Sequence, residues 1–483
     1  MRRSGKARDR SCTLGVLRGS GTQPVWMQWR SNAIVFMRRG IKTRRAVVIG
    51  GGLAGLAAAY RLDQGGWSVL VLEKEPRVGG RCRTERDGGF QFDTGVQFFR
   101  DSYDSVLKTA VSLGLGEEFR MPPWGKCIFG QGKAACFTPR SVNPLKLLPW
   151  RALGLKGVLD VPSTALPLLL KYRAYNIKLP QWWDRGDQVT AREFLSGRTT
   201  RAYRRTIAGP VALYAGGAEL ERVSAAAFMV ALRTTFADRT VGFHSGVGAL
   251  ADALAEQVEV KTGIEAVELH RSGSAVTGVR ARPRGGGRAR SYHADVVVCA
   301  LPAPMVCPVT GKLGRKAQSV IKSTEYSPGI VVNLGFSGEV KGEVGPVLLS
   351  AADGFYASWM CTQGSKAVEY APSGGSVVTV LIAGEQASGL YARSDRELIE
   401  MALGEAGRVY GLEGLTRRRG RVDRHPLARP VASPGYSERV RELATAGSGI
   451  KNLLLAGDWT SSPTAEGAVA SGFLAAEVAG LSA

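Results

Sequence analysis

The residues best suited to chemistry in this sequence are three glycines and one acid. Gly50, Gly52 and Gly55 form G-x-G-x-x-G inside AVVIGGGLAGLAAAYRL, and Glu73 closes the next apolar run. In such a pattern the first glycine permits a tight turn, the second lets backbone approach a pyrophosphate, and the third lets helix and strand pack closely. Leu53 and Ala54 open the helix, whose free N–H groups and dipole favour negative charge. Glu73 is placed to accept hydrogen bonds from the ribose hydroxyls of an adenosine half. The stretch EKEPRVGGRCRT follows directly. Its Gly79 and Gly80 let the loop pass close to a ligand, and Arg81 can clamp a pyrophosphate with two parallel hydrogen bonds. A bare glycine pattern is weak evidence; strand, helix, acid and second glycine loop in this order point to a dinucleotide site.

The elements that must hold these residues can be read from the apolar runs. Residues 46–49 form a buried-strand pattern, 56–62 a helix of small and apolar residues, and 69–72 a second strand, which together make a βαβ opening with parallel pairing. From about 100 to 240 the chain carries Pro-broken apolar and basic stretches and then helix-like segments around 190–235, a separate and mostly helical region. Residues 248–256 read as a helix, the following text as alternating strands that end in a buried one at 296–300. Between 303 and 445, strand-like runs at 330–336 and 377–383 alternate with helix-like segments, and NLLLAGDW with the small-residue helix after Thr464 returns to the first domain.

With the motifs in order, the sequence resembles the flavin amine oxidase superfamily, in which GGR after the second strand is a fairly specific signature. The resemblance implies FAD, a Rossmann-type α/β nucleotide domain in three pieces (46–100, 240–302 and 446–483) and an inserted α+β substrate domain (101–239 and 303–445). It assigns further residues to the cofactor. FDTGVQFF is similar to the segment lying along the flavin, which points to Val96, Gln97 and Phe98. VEVKTGIEAV resembles the strand whose backbone touches adenine, which points to Ile264. In LLLAGDWTSSPTAEGAVASGFLAAEVAG, Gly457 and Asp458 match the position that meets the ribityl chain. Thr464, Ala465, Gly467 and Ala468 match the helix start facing the N1/O2 edge of the ring, where the helix dipole favours reduction. No cysteine precedes the Ala-Glu-Gly turn, so FAD is expected to be non-covalent. IAGPVALYAGGAELERVSAAAF looks more like the protoporphyrinogen oxidase and phytoene desaturase branch than the monoamine oxidases.

The chain has 483 residues and a formal net charge of +23, a length that points to two domains. Residues 1–45 hold 12 Lys/Arg against one acid, Asp9, and so supply about half of the surplus. This basic N-terminal extension reads as an organelle transit peptide, as the consequence of a true start at Met37, or as a genuine basic arm. The seven cysteines are scattered without metal-ligand spacing and read as reduced thiols, so no metal is expected and the compartment is cytoplasmic or organellar. Residues 142–183, with Trp150, Trp182 and Trp183 among leucines and basic residues, suit a peripheral membrane contact or a lid; the plainer reading is a helical subdomain with a solvated basic face. Two arginine runs, 280–290 and 417–424, lack the interleaved aromatics of a nucleic-acid platform and read as solvated surface, so no nucleic acid is expected. The four histidines, His244, His270, His293 and His425, read as structural. Trp459 reads equally as a cavity wall or as packing, and Tyr356 and Trp359 are candidates for a substrate-facing surface.

The expectation is therefore an FAD-dependent oxidoreductase that removes hydride to flavin N5 from a lipophilic porphyrinogen- or polyene-like substrate, with O₂ or a quinone as acceptor. An amine oxidase and a non-catalytic FAD-bound scaffold stay open beside it. No catalytic side chain is identified, which suits chemistry carried by a cofactor.

Overall fold

A computed structural model describes residues 44–121, 126–130, 133–137, 159–164, 183, 186–340 and 345–481. The basic extension and Met37, apart from Arg44 and Arg45, lie outside the described residues, as does most of 142–183. Of that last segment's tryptophans, Trp183 is described, and it is buried in the core.

The valine-rich run Arg45–Ile49 forms strand β1, Leu53–Gln64 helix α1 and Ser68–Leu72 strand β2. β1 lies at the centre of a five-stranded sheet whose order is Glu259–Lys261, β2, β1, Val296–Cys299 and Leu453–Leu455, and every pairing is parallel. Such a sheet needs cover on both faces, and the alternation along β1 supplies it. Ala46 and Val48 pack with α1 and the C-terminal helix Ala465–Leu481. Val47 and Ile49 pack with Val276 and Val279 of a three-stranded antiparallel sheet built from 264–293.

The second large sheet has seven strands in the order Thr416–Pro430, Tyr326–Ser337, Gly375–Ala383, Trp359–Thr362, Val347–Leu348, Lys126–Gly130 and Lys133–Phe137. Helix Asp395–Tyr410 covers one face, where Leu398, Ala402 and Ala406 meet Ile330, Val332, Val378 and Val380. The period of two then turns Gly329, Val331 and Leu381 to the opposite face, toward the cavity described below. The hairpin 126–137 joins this sheet, so the region from 101 to 239 is not helical throughout; its two short runs carried too little periodicity to register as strands. The sheets correspond to the two sets of sequence pieces, yet Thr43–Ala483 forms one compact unit rather than two separable bodies. Strand Phe99–Arg100 pairs with Thr240–Phe243, and Asn333 Nδ2 donates to the Asp93 carbonyl at 3.2 Å, tying the pieces together.

One expectation changes here. Cys127 is disulfide-bonded, so the cysteines are not all reduced thiols; the hairpin register sets Cys136 across from it, and the eight residues between the two carry no motif that marks a cross-link. The arginine run 417–424 lies on an edge strand, as surface, and four of its guanidinium groups are ion-paired: Arg417 with Glu400 at 3.6 Å, Arg419 with Asp87 at 2.9 Å, Arg421 with Asp423 at 2.8 Å, and Arg424 with Asp395. Arg280, Arg282 and Arg284 likewise face Glu268, Glu265 and Glu75.

No helix among the described residues is long and apolar enough to cross a membrane.

Candidate active site

Between the two sheets lies a cavity of about 640 Å³, within the range of sites that bury a small ligand. On the nucleotide side its wall includes Gly50, Gly52, Leu53 and Ala54 at the start of α1, then Glu73, Gly80, Arg81 and Ile264. Gly457, Asp458, Thr464, Ala465 and Ala468 line it from the last strand and helix, and Val96, Gln97 and Phe98 from the loop after strand Phe90–Asp93. Sixteen of the eighteen residues expected from the sequence thus share one wall. The two exceptions, Gly55 and Gly467, are spacers. A Cβ on Gly55 would stand 1.9 Å from the Gly50 carbonyl oxygen, and one on Gly467 2.0 Å from that of Ser462.

α1 starts at Gly52, which has no side chain with which to cap it, so its first N–H groups are left to the cavity. Glu73 is buried. Its Oε2 accepts from Gly51 N at 2.6 Å and its Oε1 from Glu75 N at 2.8 Å, which fixes the carboxylate while leaving each oxygen a further lone pair. The Ile264 N–H is taken by the Glu73 carbonyl at 2.9 Å. Arg81 Nη1 reaches Asp458 Oδ2 at 2.8 Å and the Ala428 carbonyl at 2.8 Å. Burial works against this guanidinium, but Asp458 outweighs it and holds Arg81 above its ordinary pKa. The other Asp458 oxygen, Oδ1, is buried without a partner.

At the start of the last helix, Thr464 Oγ1 caps the Gly467 N–H at 3.1 Å. Glu466 turns away and accepts from Ser105 N and Val106 N, at 2.8 and 3.0 Å, capping helix Asp104–Ser112. Gln97 is held from behind: its Nε2 donates to the Asp93 carbonyl at 2.8 Å and its Oε1 accepts from Gln363 at 2.8 Å. Phe98, Tyr214 and Trp359 form an aromatic wall, with ring centroids 5.5 to 6.0 Å apart.

Sequence reasoning missed several groups. Arg100, Tyr214 and Arg429 line the cavity, and Asp93 anchors a fully buried cluster with Lys366 and Tyr370 behind it. His425 also lines the cavity; its Nε2 donates to the Thr94 carbonyl at 2.7 Å, and burial lowers its pKa. Trp359 is at the wall, whereas Tyr356 is exposed and does not line the cavity. Trp459 is core: its indole N–H donates to the Leu301 carbonyl at 3.0 Å. Cys82 touches the cavity, but burial, with Asp93 and Asp252 nearby, pushes its thiol pKa up and away from nucleophilic use. Among the described residues no cluster has the make-up of a metal site.

The family model for flavin-containing amine oxidoreductases matches residues 53–479. The chain belongs to this family. Among curated relatives, the flavin-containing amine oxidase B of Rattus norvegicus is 35% identical over 128 residues, covering 25% of this chain and 24% of that protein. The mitochondrial protoporphyrinogen oxidase of Nicotiana tabacum is 39% identical over 79 residues, covering 16% of each chain. The chain thus aligns with a quarter or less of the length of these two relatives. Among solved structures, a protein from Exiguobacterium sp. 255-15 named as a candidate protoporphyrinogen oxidase superposes with a TM-score of 0.72 at 18% identity, covering 92% of this chain and 100% of that one. Cyclohexylamine oxidase from Brevibacterium oxydans IH-35A gives 0.67 at 18% identity, covering 91% and 99%. These two likenesses concern the fold.

The family is one of flavin-containing oxidoreductases, and the site fits FAD. A Cβ added at Gly52 would meet nothing within 4 Å, leaving room for a pyrophosphate at the uncapped helix start. The unpartnered Asp458 Oδ1 is an acceptor in want of a hydroxyl.

Proposed function

We propose that the chain oxidises a lipophilic substrate of the porphyrinogen or polyene kind at a carbon held against the flavin beside Phe98. The observation that carries this reading is the character of the cavity: polar groups gather where the dinucleotide would lie, while Phe98, Tyr214, Trp359, Val331 and Leu381 form an apolar stretch of the remaining wall, beside Arg100 and Arg429. When bound, FAD supplies the two-electron acceptor. The protein's own residues do the rest. The α1 N-terminus and Arg81 would hold the pyrophosphate, Glu73 and Ile264 the adenosine, and Asp458 the ribityl chain. The N–H groups at Ala465 would favour negative charge on a flavin edge brought to the helix start, by about 0.3 to 2 kcal/mol depending on burial. The aromatic wall excludes water and orients the substrate. Burial lowers the His425 pKa and raises that of the Cys82 thiol, so Cys82 is not tuned as a nucleophile, which suits chemistry carried by the cofactor.

The test is an anaerobic stopped-flow screen of porphyrinogen, polyene and amine candidates, watching the oxidised-flavin absorbance. Bleaching by a porphyrinogen or polyene supports the reading; bleaching by amines alone replaces it with amine oxidation, and bleaching by none leaves an FAD-bound scaffold.

A further inference from the structure

We propose that Arg100 and Arg429 together bind the carboxylate of an aromatic or otherwise apolar acid, making the substrate a lipophilic carboxylate and not a cationic amine. This inference rests on the reading of the cavity as a substrate site and narrows the substrate class. The two arginines come from different elements, Arg100 from the strand after Phe98 and Arg429 from the long edge strand Thr416–Pro430. Both line the main cavity and the small recess beside Ser462–Thr464.

Arg100 is 6% exposed; its Nη1 donates to the Thr234 carbonyl, and its guanidinium lies 5.5 Å from the centre of the Tyr214 ring. Arg429 donates through Nη1 to the Ala215 carbonyl at 2.8 Å. Among the described residues neither forms an ion pair. Asp238, near Arg100, is hydrogen-bonded to Ser102 at 2.6 Å, and Asp458, near Arg429, is paired with Arg81. The other carboxylates on the cavity wall, Glu73, Glu75 and Glu265, belong to the adenosine side.

Arg100 is buried and Arg429 partly buried. Burial works against the Arg100 charge, but Tyr214, Tyr103 and Asp238 outweigh it and hold its pKa above the ordinary value. Neither guanidinium has a carboxylate in ion-pair contact among the described residues, and an anion entering the cavity would supply one. Burial and the neighbouring Arg100 and Arg81 charges press the Arg429 pKa down, while Tyr103 and Asp458 partly oppose them, which is the field an incoming carboxylate would relieve. Guanidinium matches carboxylate in shape, since two parallel N–H donors meet its two oxygens. The same field repels an ammonium group. The aromatic triangle of Phe98, Tyr214 and Trp359 adjoins Arg100 through Tyr214, so the acid's body is apolar and flat.

The holoenzyme is titrated with 2-naphthoate, with neutral 2-naphthamide and with 2-naphthylmethylammonium, following the absorbance of oxidised flavin and Trp fluorescence. Naphthoate is expected to bind at least about tenfold more tightly than the amide, with the ammonium weakest. Arg429→Met and Arg100→Met should erase the acid's advantage while leaving amide binding unchanged, and Arg429→Lys should restore part of it. FAD content and the flavin spectrum report whether each variant is folded. Equal affinity for acid and amide, failure of all three to bind, or an acid preference that survives both substitutions overturns the inference. A protein that takes up no FAD at all would instead overturn the reading of the site itself.

Discussion

Lys366 Nζ and Asp93 Oδ2 meet at 2.8 Å directly behind the cavity wall, and neither side chain is more than 1% exposed. The same Asp93 oxygen accepts from the Tyr370 hydroxyl at 2.6 Å, and Oδ1 accepts from Thr84 Oγ1 at 2.6 Å and Val247 N at 3.2 Å. Lys366 also donates to the Gln97 carbonyl. A fully satisfied ionic cluster of this kind rigidifies what it touches, and what it touches is the loop presenting Val96 to Phe98.

Removing one partner from this pair leaves an uncompensated buried charge, which costs about 3–5 kcal/mol. Lys366→Met should therefore lower the thermal midpoint strongly and loosen FAD. The double variant Lys366→Met/Asp93→Asn should recover part of the loss. Calorimetry on the three proteins decides it, and equal midpoints for wild type and Lys366→Met would refute the role assigned to the pair.

Asp458→Asn keeps the shape of the side chain but discharges the partner of Arg81 and weakens the free acceptor at Oδ1. Hydrogen bonds to charged groups contribute about 1.5–3 kcal/mol. The Kd for FAD should rise roughly tenfold to a hundredfold, as measured by flavin fluorescence on reconstituting the apoprotein.

At Gly55 the added methyl of an alanine would press on the Gly50 carbonyl oxygen, 1.9 Å from the ideal Cβ. Strand and helix must separate to admit it, and overpacking of this sort costs about 1–3 kcal/mol. Gly55→Ala should purify with substoichiometric FAD and a lowered midpoint, although Gly55 itself does not line the cavity.

Asp187 gives a pH dependence with a definite sign. It is 1% exposed and accepts from Ser437 N at 2.8 Å and Ser224 Oγ at 3.2 Å. Burial nevertheless lifts its pKa from an ordinary 3.8 to about 6. The folded state therefore holds the proton more tightly than the unfolded chain does. The resulting stabilisation is complete below about pH 4 and is lost as pH climbs through about 6, a change of about 3 kcal/mol. Asp187→Asn should not show this loss, so the stability difference between variant and wild type must shift in the variant's favour between pH 4 and 7. Parallel pH curves from denaturant titration would count against the assignment.

The dinucleotide half of the site was legible because its chemistry is done by backbone. Close approach to a phosphate demands glycine at fixed local spacing, so Gly50, Gly52 and Gly55 announce themselves within six residues, and Glu73 and Asp458 follow at the ends of apolar runs. The other half was not legible. Lys366 lies 273 residues from Asp93, and Arg429 reaches the wall from a strand whose neighbouring arginines are surface ion pairs, so nothing local separates it from them. His425 sits in that same strand and looked ordinary for the same reason. The chain's crossings between pieces, such as Phe99–Arg100 against Thr240–Phe243, have no signature in composition.

The parallel sheet has a consequence for assembly. Its central strand is made first, at residues 45–49, but its edge strand Leu453–Leu455 and the helix beginning at Ala465 come more than 400 positions later. A ribosome must add about 400 further residues before both jaws of the nucleotide clamp exist. Pairings this distant in sequence form slowly, so flavin capture should wait on the last strand, and cells short of riboflavin should accumulate a protease-sensitive precursor.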